Sequence, residues 1–259
     1  MLRCNVGVKA GWHGWRPAKR LKYGMPTILA IETSAELASC ALLVNDAVIF
    51  RATAGVRSHS QSILPMVQEL LREAGIALAD CDAIAFGAGP GSFTGVRTAC
   101  GVAQGLAYGA NLPVLPMVTL AAMAESCRAR CGATEVLTVL DARMGEVYWA
   151  QYRFDGAWRE VVAPTLSAPQ AVAPLAVAGL QACGNGFEAY VAAFAGQAFA
   201  AGAMADIVPH AREMAPLAVG ALATGLGVPA AQAQPIYLRN KIAFTTAERL
   251  VINAAKAAA

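Results

Sequence analysis

The chain of 259 residues and 26.7 kDa has the length of one large domain or two small ones, and can bury about 70–75% of its unfolded surface without disulfides or metal. At 57% hydrophobic and 14% charged residues, it is not intrinsically disordered. The formal charge of +3 belongs to residues 1–24, which hold six basic residues and no acid; the remainder has 20 − 6 = 14 basic against 17 acidic residues, a net of −3. Net charge therefore does not indicate a polyanion-binding body, although it leaves room for a local basic patch.

Residues 1–24 carry Trp12, Trp15 and Pro17 but no apolar run of signal-peptide length. They are basic and acid-poor like a transit peptide, yet contain no Ser. Patterning begins just after Met25, so Met25 reads as the natural start, with residues 1–24 an upstream mis-translation or a disordered tail. A targeting or functional arm is the alternative.

Thr27–Glu32, Leu37–Val44 and Ala47–Thr53 read as three strands, with Asn45-Asp46 a tight turn between the last two. Ser60–Ala74 switches to helical spacing, with Ile63, Leu64, Met66, Val67, Leu70 and Leu71 on one face; Ser58 fits its start and Gly75 its stop. A strand at Ala83–Gly87 leads into a glycine-rich loop at 87–95 and helix-compatible sequence to about Tyr108. A strand at Pro113–Met117 and a helix at Thr119–Arg130 follow. A second half begins near Glu135, with strands at Val136–Leu140 and Glu146–Phe154 around a turn at Asp141–Gly145. Beyond it the sequence is alanine-rich; helices are expected around 188–200 and 214–225, with a loop at Gly184-Asn185-Gly186. This order implies a mixed α/β sheet. No 20–50-residue repeat is visible. Prolines and glycines break the uncharged stretch after Met214, which reads as a buried helix and loop, not a membrane span.

The seven cysteines are odd in number and follow no secretory signal, which points to reduced thiols in a cytosol. Cys127 and Cys131 would share a helix face but lack further nearby ligands for zinc. The three histidines, 13, 59 and 210, form no paired motif. Ser92 has Pro90 two residues before it, so a nucleophile elbow does not fit. Gly87, Gly89, Gly91 and Gly95 between strand and helix suit anion binding by backbone N–H groups, but no Lys-Ser/Thr follows. The structural alternative is a tight turn with Ser92 or Thr94 capping the helix. Asp141–Glu146 reads as a hairpin turn with a local Asp–Arg contact.

Taken in order, ILAIETS (28–34), His59-Ser60-Gln61 with Leu64-Pro65, AIAFGAGPGSFTGVR (83–97), DARMGE (141–146) with Val147-Tyr148, Gly184-Asn185-Gly186 and PIYLR (235–239) resemble the bacterial TsaB (YeaZ) family. The resemblance spans residues 26 to about 242. It implies an α/β fold of the actin/Hsp70/sugar-kinase (ASKHA) type, with two related subdomains on mixed sheets, the second reduced. The corresponding limits are 26–131 and 132–259, with 1–24 outside the family.

It further implies a role in making N6-threonylcarbamoyladenosine at position 37 of tRNAs reading ANN codons. The family works as a cytoplasmic, non-catalytic subunit. It pairs with its paralogue TsaD through helices of the first subdomain, and TsaE docks near the junction and hydrolyses ATP. TsaD carries a paired-His metal motif; the matching stretch here, Val118–Ala124, has no ligand. The expectation is thus no catalytic residue and no metal, tRNA reached through the complex, and ATP or ADP only at the level of the complex. A homodimer would use the same surface when TsaD is absent. Interface candidates are His59, Ile63, Met66, Val67, Leu70, Val96 and Arg97; periodicity does not separate interface from core. Phosphate or nucleotide candidates are Thr33, Ser34, Gly89, Gly91, Ser92 and Thr94. Glu32 stands where the family more often has Asp, which argues against ATP hydrolysis by this chain. An independent ATPase and a glycoprotease-like peptidase are the rival readings.

Overall fold

In the computed structural model, residues 25–54 and 59–239 are described; the leader 1–24 and the Ser58 cap lie outside them. The first sheet has the order β3-β2-β1-β4-β5, built from β1 (Ile28–Glu32), β2 (Leu37–Val44), β3 (Ala47–Ala54), β4 (Ala83–Gly89) and β5 (Val114–Val118). β1 runs antiparallel to β2 and parallel to β4. The second sheet, β8-β7-β6-β9, comprises β6 (Glu135–Arg143), β7 (Glu146–Phe154), β8 (Trp158–Ser167) and β9 (Leu180–Cys183). β6 runs antiparallel to β7 and parallel to β9. Each lobe therefore holds a three-strand meander whose first strand takes a parallel neighbour, and among the described residues only the first lobe adds a fifth strand. This is the reduced second subdomain of the ASKHA-like fold.

β1, β2 and β4 at the centre of the first sheet are buried on both faces, which explains their largely apolar runs, whereas the edge strand β3 is half-exposed. Leu29 and Ile31 face α1 (His59–Ala74) and α2 (Phe93–Ala110), while Ile28 and Ala30 face α6 (Ala211–Ala223). α3 (Thr119–Cys131) lies between the sheets: Ala122 packs towards α6, and Leu120, Met123, Ala124 and Cys127 pack on the second sheet. The far face of that sheet is covered by Phe187 and Phe194 of two four-residue helices, α4 (Gly186–Ala189) and α5 (Val191–Phe194).

Turn chemistry follows the sequence closely. Asn45 and Asp46 have φ of 50° and 63°, as a two-residue hairpin requires. Gly75, at φ 66°, ends α1. Five of the six cysteines among the described residues are buried, and Cys131 is exposed.

Three expectations are corrected. A division at 131/132 separates the sheets but not the helices: α6 returns to the first sheet, and Val228 bridges to Val114 of β5. The helix expected over 188–200 is two short helices and a further turn, with Gly196 at φ 77°. β8 and β9 lie where no strand was expected.

Candidate functional site

All the motifs except His59-Ser60-Gln61 with Leu64-Pro65 contribute residues to one cavity of about 300 Å³. Its walls are the 34–36 turn, the start of α2, the β6–β7 hairpin, Asn185, and the segment Ile236–Arg239. Glycines bring the first wall together. A Cβ on Gly95 would lie 1.9 Å from the Thr33 carbonyl oxygen, and one on Gly91 would lie 2.6 Å from Ser34. The close approach lets Ser92 N–H donate to the Ser34 carbonyl at 2.7 Å, and the Thr33 hydroxyl donate to the Gly95 carbonyl at 2.7 Å. Ser92 caps α2 by accepting from Gly95 N–H at 3.4 Å, so the tight-turn reading of this loop describes its geometry.

Of the phosphate candidates, Ser34, Gly91, Ser92 and Thr94 line the cavity. Thr33 and Gly89 do not. Thr33 is buried with its hydroxyl spent on Gly95, and Gly89 ends β4 against the Ile236 carbonyl. Glu32 is absent from the cavity as well. Its carboxylate lies under the loop against Gly87, where a Cβ would come within 2.1 Å of Oε2. Ser34 N–H donates to Oε1 at 2.5 Å, while Oε2 is buried without a partner. Burial pushes this carboxyl up from its ordinary range, against the lowering effect of hydrogen bonds from Ser34 and Thr33.

The second lobe contributes Asp141. Its Oδ1 accepts from Tyr190 O–H at 2.9 Å and from Arg143 N–H at 2.8 Å, and its own N–H donates to Asn185 Oδ1 at 2.9 Å. The expected Asp–Arg contact is thus made to the Arg143 backbone. Tyr190 stands 49 residues away, so sequence spacing gave no sign of this carboxylate's fixed position. Arg143, Met144 and Gly145 form the hairpin turn at φ of 58°, 59° and 79°. Arg239 donates to Glu146 Oε2 at 2.6 Å; PIYLR signals this residue, but not its partner.

The interface candidates need correction. Ile63, Met66, Val67 and Leu70 lie in the core under the first sheet, with His59 buried beside them and its Nε2 3.1 Å from the Glu36 carbonyl oxygen. They are spent on the core, where the apolar stripe of α1 covers β2 and β3. The outward face of α1 carries Gln61, Leu64, Pro65 and Gln68 instead. Val96 is buried, and Arg97 is exposed, with its guanidinium over the Phe93 ring and 4.7 Å from the Tyr237 centroid.

Among the described residues, no group of three or more His, Cys, Asp or Glu is placed to hold a metal ion. No helix there is long and apolar enough to cross a membrane.

The family described as "TsaD: tRNA N6-adenosine threonylcarbamoyltransferase" matches residues 45–257. The chain is 41% identical over 224 residues to tRNA threonylcarbamoyladenosine biosynthesis protein TsaB of Escherichia coli K12, covering 84% of this chain and 96% of that one. The Haemophilus influenzae protein of the same name is 38% identical over 228 residues, covering 84% and 95%. The structure of YeaZ from Pseudomonas aeruginosa superposes with a TM-score of 0.77 at 43% identity, covering 83% of this chain and all of that one.

Proposed function

The chain belongs to the TsaB (YeaZ) family, within the wider TsaD family, and on that premise we propose that it is a non-catalytic docking subunit in tRNA threonylcarbamoyladenosine biosynthesis. TsaD is its partner and carries the transfer, and TsaE joins the pair.

The observation that carries this reading is on α2. Gly101, Gly105 and Gly109 repeat every four residues along its exposed face, and a Cβ on any of them would meet nothing within 4 Å. An interior helical glycine costs about 0.5–1 kcal/mol relative to alanine. Nothing among the described residues offsets that cost, whereas a helix packed closely against this face would. α1 lies beside α2 and exposes Leu64, and Tyr108 stands out from the same end of α2 at 83% exposure. This outer face replaces the buried stripe as the docking surface, and it would equally serve a second copy of the chain when TsaD is absent.

Two features support a non-catalytic role. Glu32, the acid of the first-strand motif, is folded under the loop and away from the cavity. Val118–Ala124 carries no histidine or carboxylate. Adenine nucleotide then belongs to the assembled complex, and tRNA is reached through it, since the body from Met25 onward is net −3.

The test is co-purification with TsaD and a tRNA modification assay omitting each subunit in turn. Omission of this chain should abolish modification. Gly105→Leu should abolish pairing while leaving the isolated chain folded. Full activity without the chain, or an unaltered heterodimer on gel filtration, would sink the proposal.

A further inference from the structure

The cavity is closed on one side by the chain's own segment 236–239, whose residues attach in turn to the two lobes. Ile236 N–H donates to the Ala88 carbonyl on β4 at 2.7 Å. Tyr237 lies against α2, its ring centroid 6.3 Å from that of Phe93, with Arg97 between. Leu238 then packs on the core of the second lobe. Arg239 reaches the β6–β7 hairpin, where Nη2 donates to Glu146 Oε2 at 2.6 Å and to the Arg143 carbonyl at 3.2 Å. Upstream, the Ala233 carbonyl accepts from Gln104 of α2 at 2.9 Å.

We propose that residues 236–239 are a releasable clasp that holds the two lobes closed over the cavity, with the Arg239–Glu146 pair as its catch. Neither sheet needs this segment, because each is complete in its own strands. The two ends of the clasp are also held differently. The first-lobe end rests on backbone hydrogen bonding and ring packing. The second-lobe end rests on the half-buried Leu238 side chain and, beyond it, on a guanidinium 15% exposed paired with a carboxylate 38% exposed, a contact that salt screens.

Arg239 Nε is buried with no acceptor, so the catch uses fewer bonds than the guanidinium can make. The hairpin it holds is an exposed left-handed turn with little packing of its own. Release therefore starts at Arg239 and frees the hairpin, while Ile236 and Tyr237 stay on the first lobe.

Hydrogen exchange on the full chain, read by mass spectrometry, tests this. Arg239→Ala and Glu146→Gln should each speed exchange of residues 141–147 by roughly two- to fivefold, the range for losing one partly exposed ion pair, while β1 is unchanged. The paired swap E146R/R239E should recover most of the protection. Because Glu146 is partly exposed, Glu146→Gln does not threaten the fold and decides the matter if Arg239→Ala unfolds. Unchanged hairpin exchange in Glu146→Gln, equal acceleration of β1 and hairpin, or no recovery in the swap would overturn the clasp.

Discussion

The two lobes solve the same packing problem with different residues at one position. In each, the first strand passes beside a glycine within or just after its parallel neighbour: the Glu32 carboxylate lies against Gly87 in the first lobe, and the Val139 carbonyl lies against Gly184 in the second. In each, further glycines then let the following loop press against the strand's end. Gly91 and Gly95 do so against Ser34 and Thr33, and Gly186 does so against Val139. The difference is the buried carboxyl. In the second lobe the group against the glycine is the Val139 backbone carbonyl, whereas in the first it is a side-chain acid that must be neutral or hydrogen-bonded. The shared contact is therefore architectural, and Glu32 is an addition to it.

Substituting the glycines tests the shared part and should give the largest effects. Gly95→Ala puts a methyl 1.9 Å from the Thr33 carbonyl oxygen, and Gly184→Ala puts one 2.1 Å from that of Val139, at a φ of 120°. Backbone cannot yield as a flexible side chain does, so each should cost about 3–5 kcal/mol. Chemical denaturation would show it. If one substitution is tolerated and the other is not, the lobes are not equivalent at this contact.

Glu32 tests the difference between them. Folding favours its protonated form, because burial raises its folded pKa above the ordinary carboxylate value. Its contribution is full below the ordinary range and is lost as pH rises through the raised value. Glu32→Gln keeps the shape without the titration, so its stability relative to the parent should increase steadily with pH. Denaturation midpoints across a pH series would show this, and parallel curves for the two proteins would contradict it.

The next contrast concerns the loops themselves. Ser92 caps α2 with its side chain, whereas Asn185 makes no side-chain cap to α4 and spends Oδ1 on the Asp141 N–H. Asn185→Ala should cost about 1–2 kcal/mol and loosen Asp141, since it leaves a half-buried donor unmet. Ser92→Ala should cost about 1 kcal/mol and act on the first turn of α2. Amide exchange, read residue by residue, separates the two, and fraying at the same place in both variants would erase the contrast.

These asymmetries also explain which parts of the fold were legible in sequence. β2 and β7 fall where their apolar runs and turns put them, because each is flanked by a left-handed hairpin turn. β8 is an edge strand with Pro164 and a mostly half-buried pattern, so no face stands out. β9 is four residues inside an alanine-rich stretch. In the site, loop residues 91–94 are marked by their own composition. Asp141 depends on Asn185 and Tyr190, partners 44 and 49 residues away, and no local pattern encodes that. The stripe of α1 holds for Ile63, Met66, Val67 and Leu70, which mark the core, because both a core face and a docking face would be apolar; Leu64, expected on the same face, is exposed on the outward side.

The smallest effect bears on the first lobe alone, since among the described residues the second sheet carries no long helix with an exposed face of this kind. Gly105→Ala adds a methyl into open space on α2. Helix propensity predicts that the isolated chain gains about 0.5–1 kcal/mol, which raises Tm by about 1–4 °C for a domain of this size. If the stripe is a docking surface, the same methyl holds the partner helix away and weakens pairing with TsaD. The two measurements should therefore move in opposite directions. Thermal melts of the isolated chain and titration calorimetry with TsaD would read them separately. A rise in Tm with unchanged affinity would leave the glycines without a docking role and move the interface to the Leu64 face of α1. A fall in Tm would mean that α2 needs its glycines for its own packing, and the contrast between a docking lobe and a reduced lobe would then rest on α1 alone.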